Sequence, residues 1–320
     1  MREFNIVNGK RIHPYVGGPR INPNRRPVVL SEKKSQPVAP PETAFVPPYV
    51  LSLFKDTPDD RDFNLSNNPS LFTVDENLTL PANIDYTSDM SGIRDQGDLG
   101  SCVGFAAAAM KEWQEKKEHS QEVTDGKDDH REGKEYNYSE AWIYWNCKKI
   151  DDWPGQEGTS IRDAMHVLNR IGVPTEKAWP YSDDKLNVGE PAHWATLVAK
   201  WALIGTYYRV DTTDQAKVTL MQDGPFMMGV PCFYDFFFPV DGFIKDPADG
   251  ERDYGGHAIC VVGYDDSTQR IKFKNSWGTN WGQAGYGYIS YDYFNKYSWD
   301  NWACKDITVT PEMLKGDREL

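Results

Sequence analysis

A chain of 320 residues with 39% apolar and 13% aromatic content can build a sizeable core, which excludes a disordered protein. Its net charge of −13 speaks against an electrostatic nucleic-acid binder, because phosphate recognition needs a basic face. Residues 1–18 lack the apolar stretch of a secretory leader, and the most apolar window, 225–240, is broken by three prolines and Asp235, so no signal or membrane span is expected.

Residues 1–60 hold ten of the 21 prolines, including PVAPPETAFVPP at 37–48, and show neither helical nor alternating periodicity. The expected division is a proline-rich arm over 1–80, a folded domain over 81–310 and a tail over 311–320. From 84 to about 195 helical patterns dominate. The stretch opening at Cys102 puts Cys102, Phe105, Ala106, Ala109 and Trp113 on one helical face, with four consecutive alanines adding propensity. The charged run 119–136 reads as a solvated loop with solvent-facing histidines. A second helix is predicted over 160–172, with Ser160 as N-cap, Asp163 three residues on, and Ile161, Ala164, Leu168 and Ile171 facing the core. Gly172 and Pro174 stop it, and His166 sits off the core face.

Beyond about Ala202 the pattern turns strand-like. The window 225–240 reads as strands and turns, 257–266 as a buried strand, 271–277 as an alternating one and 285–291 as another. The implied class is α+β, a helical half against a β half, with a cleft where they meet. Five cysteines, at 102, 147, 232, 260 and 304, are an odd number, so all but Cys102 read as reduced core residues.

Cys102 opens its predicted helix, where free N–H groups and the positive end of the dipole favour a thiolate. His257 begins a buried strand directly after two glycines that leave room for a substrate backbone. A hairpin turning at Asp266 brings Asn275 alongside His257, where an amide oxygen can fix the imidazole tautomer. Singly, these residues read as an inert core thiol, a strand-end histidine and a turn residue; their coincidence is what points to a nucleophile, a base and an orienting group. No CxxC or HxxxH pair completes a metal set, so neither metal nor cofactor is expected.

Three blocks, QGDLGSCVGFA (96–106), GGHAICVVGYDD (255–266) and FKNSWGTNWGQAGYGYI (273–289), resemble the Cys, His and Asn blocks of papain-like cysteine peptidases. Segments 158–181 and 223–230 resemble that family's second helical region and its Gly-Pro strand, and TPDDRDF (57–63) resembles a segment that precedes the domain in bacterial members. The resemblance implies a two-lobed fold with a helical left lobe, an antiparallel β-barrel-like right lobe and an active-site cleft between them. It implies a cysteine endopeptidase in which Cys102 is the nucleophile, His257 the base, Asn275 its orienting partner and Gln96 the oxyanion-hole amide. Trp277 shields the Asn–His bond on this view. Gly158 pairs with an extended substrate, Thr159 and Ala258 line the adjoining pocket, and Gly256 makes room for the chain.

Two departures from the family are visible. Leu99 stands where many members have a disulfide cysteine, and Val103 replaces the aromatic residue after the nucleophile. His257 and Asn275 also lie 155 and 173 residues after Cys102, somewhat beyond the usual span of about 130–150, an excess the charged run at 119–136 accounts for. A polypeptide substrate is the expected partner, with no nucleic acid and no membrane. The N-terminal arm is expected to bind its own cleft as a zymogen segment or else to dock a partner protein. A Cys-His acyltransferase, a catalytically silent peptide-binding module and an assembly component stay open as rivals, and the cellular compartment is not legible.

Overall fold

The computed structural model describes residues 5–7, 10–12, 45–64, 79–124, 136–182 and 191–307. The tail 311–320 and residues 125–135 of the charged run lie outside the described residues. Near the N-terminus, β1 (Asn5–Val7) and β2 (Lys10–Ile12) form a short antiparallel ladder inside the segment read as an arm.

After β3 (Asn83–Asp85) comes α1 (Cys102–Thr124), 23 residues long. The expected single apolar face is too narrow a description, because every residue from 102 to 115 is buried. The helix lies between the two lobes and packs on both. It also runs to Thr124, so the start of the predicted loop at 119 is helical; its glutamate, lysine and glutamine content supports helix as well as it supports solvation. Helix α2 (Glu140–Ile150) is capped by Ser139, whose Oγ accepts from the Trp142 N–H at 3.1 Å. Helix α3 (Ile161–Arg170) is capped as predicted, with Ser160 Oγ accepting from the Asp163 N–H at 3.2 Å. Gly172 ends that region at φ +75°, where a Cβ would lie 2.0 Å from the Ala199 carbonyl oxygen at the end of α4 (His193–Ala199).

The right lobe follows with β4 (Ile204–Arg209), α5 (Thr213–Gln222), β5 (Phe226–Pro231), α6 (Tyr234–Phe237), β6 (Gly256–Asp265), β7 (Arg270–Lys274), β8 (Tyr286–Ser290), α7 (Tyr291–Tyr297) and β9 (Trp299–Asp306). Its strands form one antiparallel sheet in the order β4-β9-β5-β6-β7-β8, with β3 paired to β6 off that path. Two expectations need adjusting. The window 225–240 is a strand followed by a helical turn, and Tyr291 leaves the last predicted strand to open α7, where Ser290 Oγ accepts from the Tyr293 N–H at 2.8 Å. All five cysteines are buried and carry free thiols.

Residues 45–64 lie along the body and are anchored to it. Asp56 accepts from Trp302 Nε1 at 2.7 Å and pairs with Arg209 at 3.2 Å, while its own N–H donates to Asp300 at 2.7 Å. Asp62 pairs with Arg162 at 2.5 Å and Arg209 at 2.9 Å, and the Phe63 carbonyl accepts from the Arg209 N–H at 2.8 Å.

One of the largest fully buried side chains of the left lobe sits on α2 and reaches the end of the α3 region. Trp142 is 2% exposed and donates its indole N–H to the Gly172 carbonyl at 2.9 Å. Trp142→Ala removes both the packing and the bond, and urea unfolding should show a loss of about 3–5 kcal/mol.

Candidate active site

Cys102 is the first residue of α1 and is fully buried. Its sulfur lies against the backbone N–H of Ala258, the residue after His257 on β6, so helix start and strand start meet at this thiol. The β6–β7 hairpin closes as predicted, with Asp265 opposite Arg270 and Cys260 opposite Lys274. That register carries Asn275 to His257, and His257 Nε2 sits 2.7 Å from Asn275 Oδ1. Trp277 stacks on the imidazole, with ring centres 4.4 Å apart and planes inclined by 26°, and covers the His–Asn bond. His257 Nδ1 is buried with no hydrogen-bond partner among the described residues.

Gln96 is fully buried and tied to the same hairpin. Its Oε1 accepts from Ser276 Oγ at 2.7 Å, its backbone N–H donates to the Ser276 carbonyl at 2.9 Å, and its Nε2 donates to the Leu99 carbonyl at 3.0 Å. Tyr181 Oη spans from the Gln96 carbonyl to Ser101 Oγ, at 2.7 Å on each side, so the loop is also fastened to the start of α1.

The arm passes directly over this site. Ser52 Oγ is 3.9 Å from Cys102 Sγ. The Leu53 N–H donates to the Gly256 carbonyl at 3.1 Å and the Phe54 N–H to the Thr159 carbonyl at 3.1 Å, with Leu53 paired parallel to Thr159. Leu53 is 6% exposed and shares a core with Ala258, Met227 and Ile161. Gly256 leaves room for it, since a Cβ there would lie 2.7 Å from the Leu53 carbonyl oxygen; at Gly229 a Cβ would meet both the Trp299 carbonyl oxygen, at 2.6 Å, and Leu53 Cδ2, at 2.7 Å. On the other side of the sulfur, Tyr49 stacks on Trp277 at 4.1 Å with nearly parallel planes.

All nine residues singled out from sequence therefore line this one groove or support it. Gly158 differs in detail from expectation. Its N–H goes to Tyr144 Oη at 2.9 Å and its carbonyl accepts from Lys148 Nζ at 2.8 Å, so the ladder contact to the arm falls to Thr159. What Gly158 supplies is clearance, since at φ +98° a Cβ would lie 1.9 Å from the Ser52 carbonyl oxygen. Sequence reasoning missed Ser52 and Leu53; the apolar run YVLSLF at 49–54, inside proline-rich surroundings, is the signal that marks them.

Two opposing effects act on the thiol. The helix N-terminus and nearby backbone N–H groups favour a thiolate, but burial dominates and pushes the Cys102 thiol above its ordinary value. Burial likewise lowers His257 to about 4, only partly offset by its bond to Asn275. Under the arm, both groups are therefore held neutral at pH 7.

The sign of the resulting pH dependence follows. An unfolded imidazole titrates near 6.5, so between that value and about 4 the unfolded chain binds a proton that buried His257 refuses. Stability should fall as pH drops through this window, and an NMR titration of the full chain should put the His257 midpoint near 4. A midpoint that stays near 6.5 would refute the closed, dry environment.

Comparison with known proteins agrees with the geometry. The family model described as papain family cysteine protease matches residues 80–305. An uncharacterized peptidase C1-like protein of Acanthamoeba polyphaga mimivirus is 28% identical over 263 residues, covering 78% of this chain and 80% of that one. Procathepsin L of Felis catus is 25% identical over 221 residues, and the match spans 65% of this chain and only 60% of the feline protein. Among solved structures, xylellain, a cysteine protease from Xylella fastidiosa, superimposes with a TM-score of 0.67 at 27% identity, covering 80% of this chain and 96% of the other. With its two lobes and with this match over most of its length, the chain belongs to the papain family of cysteine proteases and is a cysteine peptidase.

Proposed function

We propose that this peptidase is an endopeptidase working through Cys102, His257 and Asn275, and that its own arm holds it closed. The observation that carries the reading is the bond from Asn275 Oδ1 to His257 Nε2, which leaves Nδ1 as the unpaired nitrogen on the residue before Ala258, whose backbone meets the Cys102 sulfur at a helix start.

In the open enzyme the Cys102 proton passes to His257 Nδ1, giving the ion pair that burial suppresses in the closed form. The thiolate attacks the carbonyl carbon of the substrate peptide and the carbonyl electrons move onto oxygen. The Cys102 backbone N–H and the Gln96 side-chain amide stabilise that oxyanion. Collapse breaks the C–N bond, His257 gives its proton to the leaving amine, and a thioester remains on sulfur. A water then attacks the thioester with His257 as base, releasing the acid and restoring the thiol. Asn275 holds the ring through both proton transfers, and Trp277 keeps water from competing for that bond.

The arm supports both the autoinhibition and the endo mode. It crosses the sulfur with Tyr49 and Phe45 on one side and Leu53 and Phe54 on the other, so the groove accommodates chain in both directions from the reacting atom. The described residues 45–64 accordingly divide, on this reading, into a blocking stretch ending near Lys55 and an anchored stretch from Asp56 to Asn64.

Cys102→Ala should abolish peptide hydrolysis. Gln96→Ala should lower kcat by about 10²–10³ with little change in KM, the signature of a lost oxyanion donor. Leu53→Asp in the full chain buries an unpaired charge in the groove, which expels the arm; steady-state turnover of a fluorogenic peptide should rise about tenfold or more. Unchanged turnover, with folding confirmed by circular dichroism, would remove the autoinhibition.

A further inference from the structure

The arm is held by different forces on the two sides of Cys102. Towards Gly158 the contacts are directional: backbone bonds at Leu53 and Phe54, then the Asp56 and Asp62 ion pairs. Towards Trp277 they are aromatic. The Phe45 ring sits 4.9 Å from Tyr234, 5.4 Å from Phe237, 6.0 Å from Phe238 and 4.9 Å from Tyr254, every pair tilted or edge-on. These are the separations at which aromatic pairs attract beyond simple burial.

The cage is built into the body. Tyr234, Phe237 and Phe238 come from α6 and its C-cap, while Phe236 of the same turn points inward and is fully buried. Tyr254 is fixed against α6 by the ladder it forms with Cys232, its N–H donating to the Cys232 carbonyl at 2.9 Å. Phe237 lies parallel to Trp277 at 6.0 Å, so the cage is continuous with the aromatic cover of His257. Once the arm leaves, a contiguous apolar surface is bared beside the reacting atom, of the kind that marks a binding site.

Pro47 and Pro48, between Phe45 and Tyr49, have no N–H to give a ladder, and the described backbone bonds between arm and body begin only at Leu53. The cage thus reads a ring without reading chain direction. Seven residues separate Phe45 from Ser52, a reach of at most about 25 Å when extended, so a ring a few residues beyond the scissile bond can enter. Because His257 hands its proton to the leaving amine and Trp277 stacks on that imidazole, Trp277 and the cage that continues from it lie on the leaving-group side.

We propose that Tyr234, Phe237, Phe238 and Tyr254 form a subsite for an aromatic side chain on the leaving-group side of a polypeptide substrate, and that Phe45 occupies it in the closed chain. The proposal rests on the peptidase reading above. It makes the enzyme selective for sequences with Phe, Tyr or Trp two to four residues after the cleaved bond, whatever the acyl-side pocket prefers.

The test uses the full chain opened by Leu53→Asp and Phe45→Ala. Internally quenched peptides share one acyl-side sequence and carry either Phe or Ala at the second, third or fourth position after the scissile bond. The best Phe peptide should show kcat/KM about tenfold above its Ala counterpart, mostly through KM. Adding Phe238→Ser should bring the ratio close to one, and Phe238→Tyr, which keeps the ring, should restore it. Equal kcat/KM for Phe and Ala peptides at every position, with both cleaved, overturns the subsite and leaves the peptidase reading intact. Cleavage of neither peptide overturns the closed-groove reading on which the subsite rests.

Discussion

The site depends on how closely α1 can approach β6 and α2. Gly104 faces the Glu140 backbone, where a Cβ would lie 2.6 Å from the carbonyl oxygen, and Ala107 and Ala108 are fully buried. Larger side chains at these positions would push the helix outward and carry the Cys102 sulfur away from the Ala258 amide. A helix wedged this way must also bury its polar half, and each group there is answered. Lys111 pairs with Glu115 at 2.8 Å and with Asp306 on β9 at 2.7 Å, and Glu112 takes Arg94 at 2.5 Å. Breaking one partner of such a buried pair is costly, so these contacts fix the helix in register with both lobes.

The same wedge links the catalytic loop to the hairpin. Arg94 bridges Glu112 on α1 and Glu140 on α2, and Lys274, the residue before Asn275, donates to the Ser91 carbonyl at 2.9 Å and to its hydroxyl at 2.8 Å. Ser91 in turn bonds Glu112. Burial lowers Lys274 to about 8 and pushes Glu140 up, the expected response of charges drawn out of water into a network that only partly repays them. Gln96, Asn275 and the start of α1 are thereby parts of one frame. The sulfur and the imidazole lie out of water on that frame. For His257 alone, moving from about 4 to the ordinary imidazole value corresponds to roughly 3 kcal/mol of restored preference for the charged form.

The legible part of this arrangement is the part encoded locally. Ser160 and Gly172 mark the ends of a helix through cap chemistry, and the turn after Asp265 sets a register that brings Asn275 to His257. The three reactive side chains stand out because their neighbours are glycines and apolar residues with little other reason to hold a Cys, a His and an Asn. The illegible part is encoded at long range. Ser52 and Cys102 are 50 residues apart, Asp56 and Trp302 246, and no periodicity joins them. The buried Arg94–Glu112–Glu140 group is hidden for a related reason: charged residues read as surface until a structure shows their partners. Gly158 shows the subtler limit, for its glycine was visible while the prior commitment of its N–H and carbonyl to Tyr144 and Lys148 was not.

The arm lies over the sulfur in an orientation set by its backbone bonds to the two sides of the groove. Ser52 meets the sulfur with its hydroxyl, at 3.9 Å, and with its backbone, and a hydroxyl offers no electrophilic carbon to a thiolate. The Ser52 carbonyl oxygen instead faces Gly158, at the spot a Cβ would fill. Leu53 runs parallel to Thr159, and that polarity together with the backbone bonds on either side keeps the carbonyl turned away. Attack needs a carbon within about 3–3.5 Å and an oxygen pointing at the donors that will hold its charge. On the proposed autoinhibition, a Ser52 carbonyl turned towards Gly158 is poorly placed for attack by the buried sulfur beneath it, because its oxygen points away from the donors that would hold its charge.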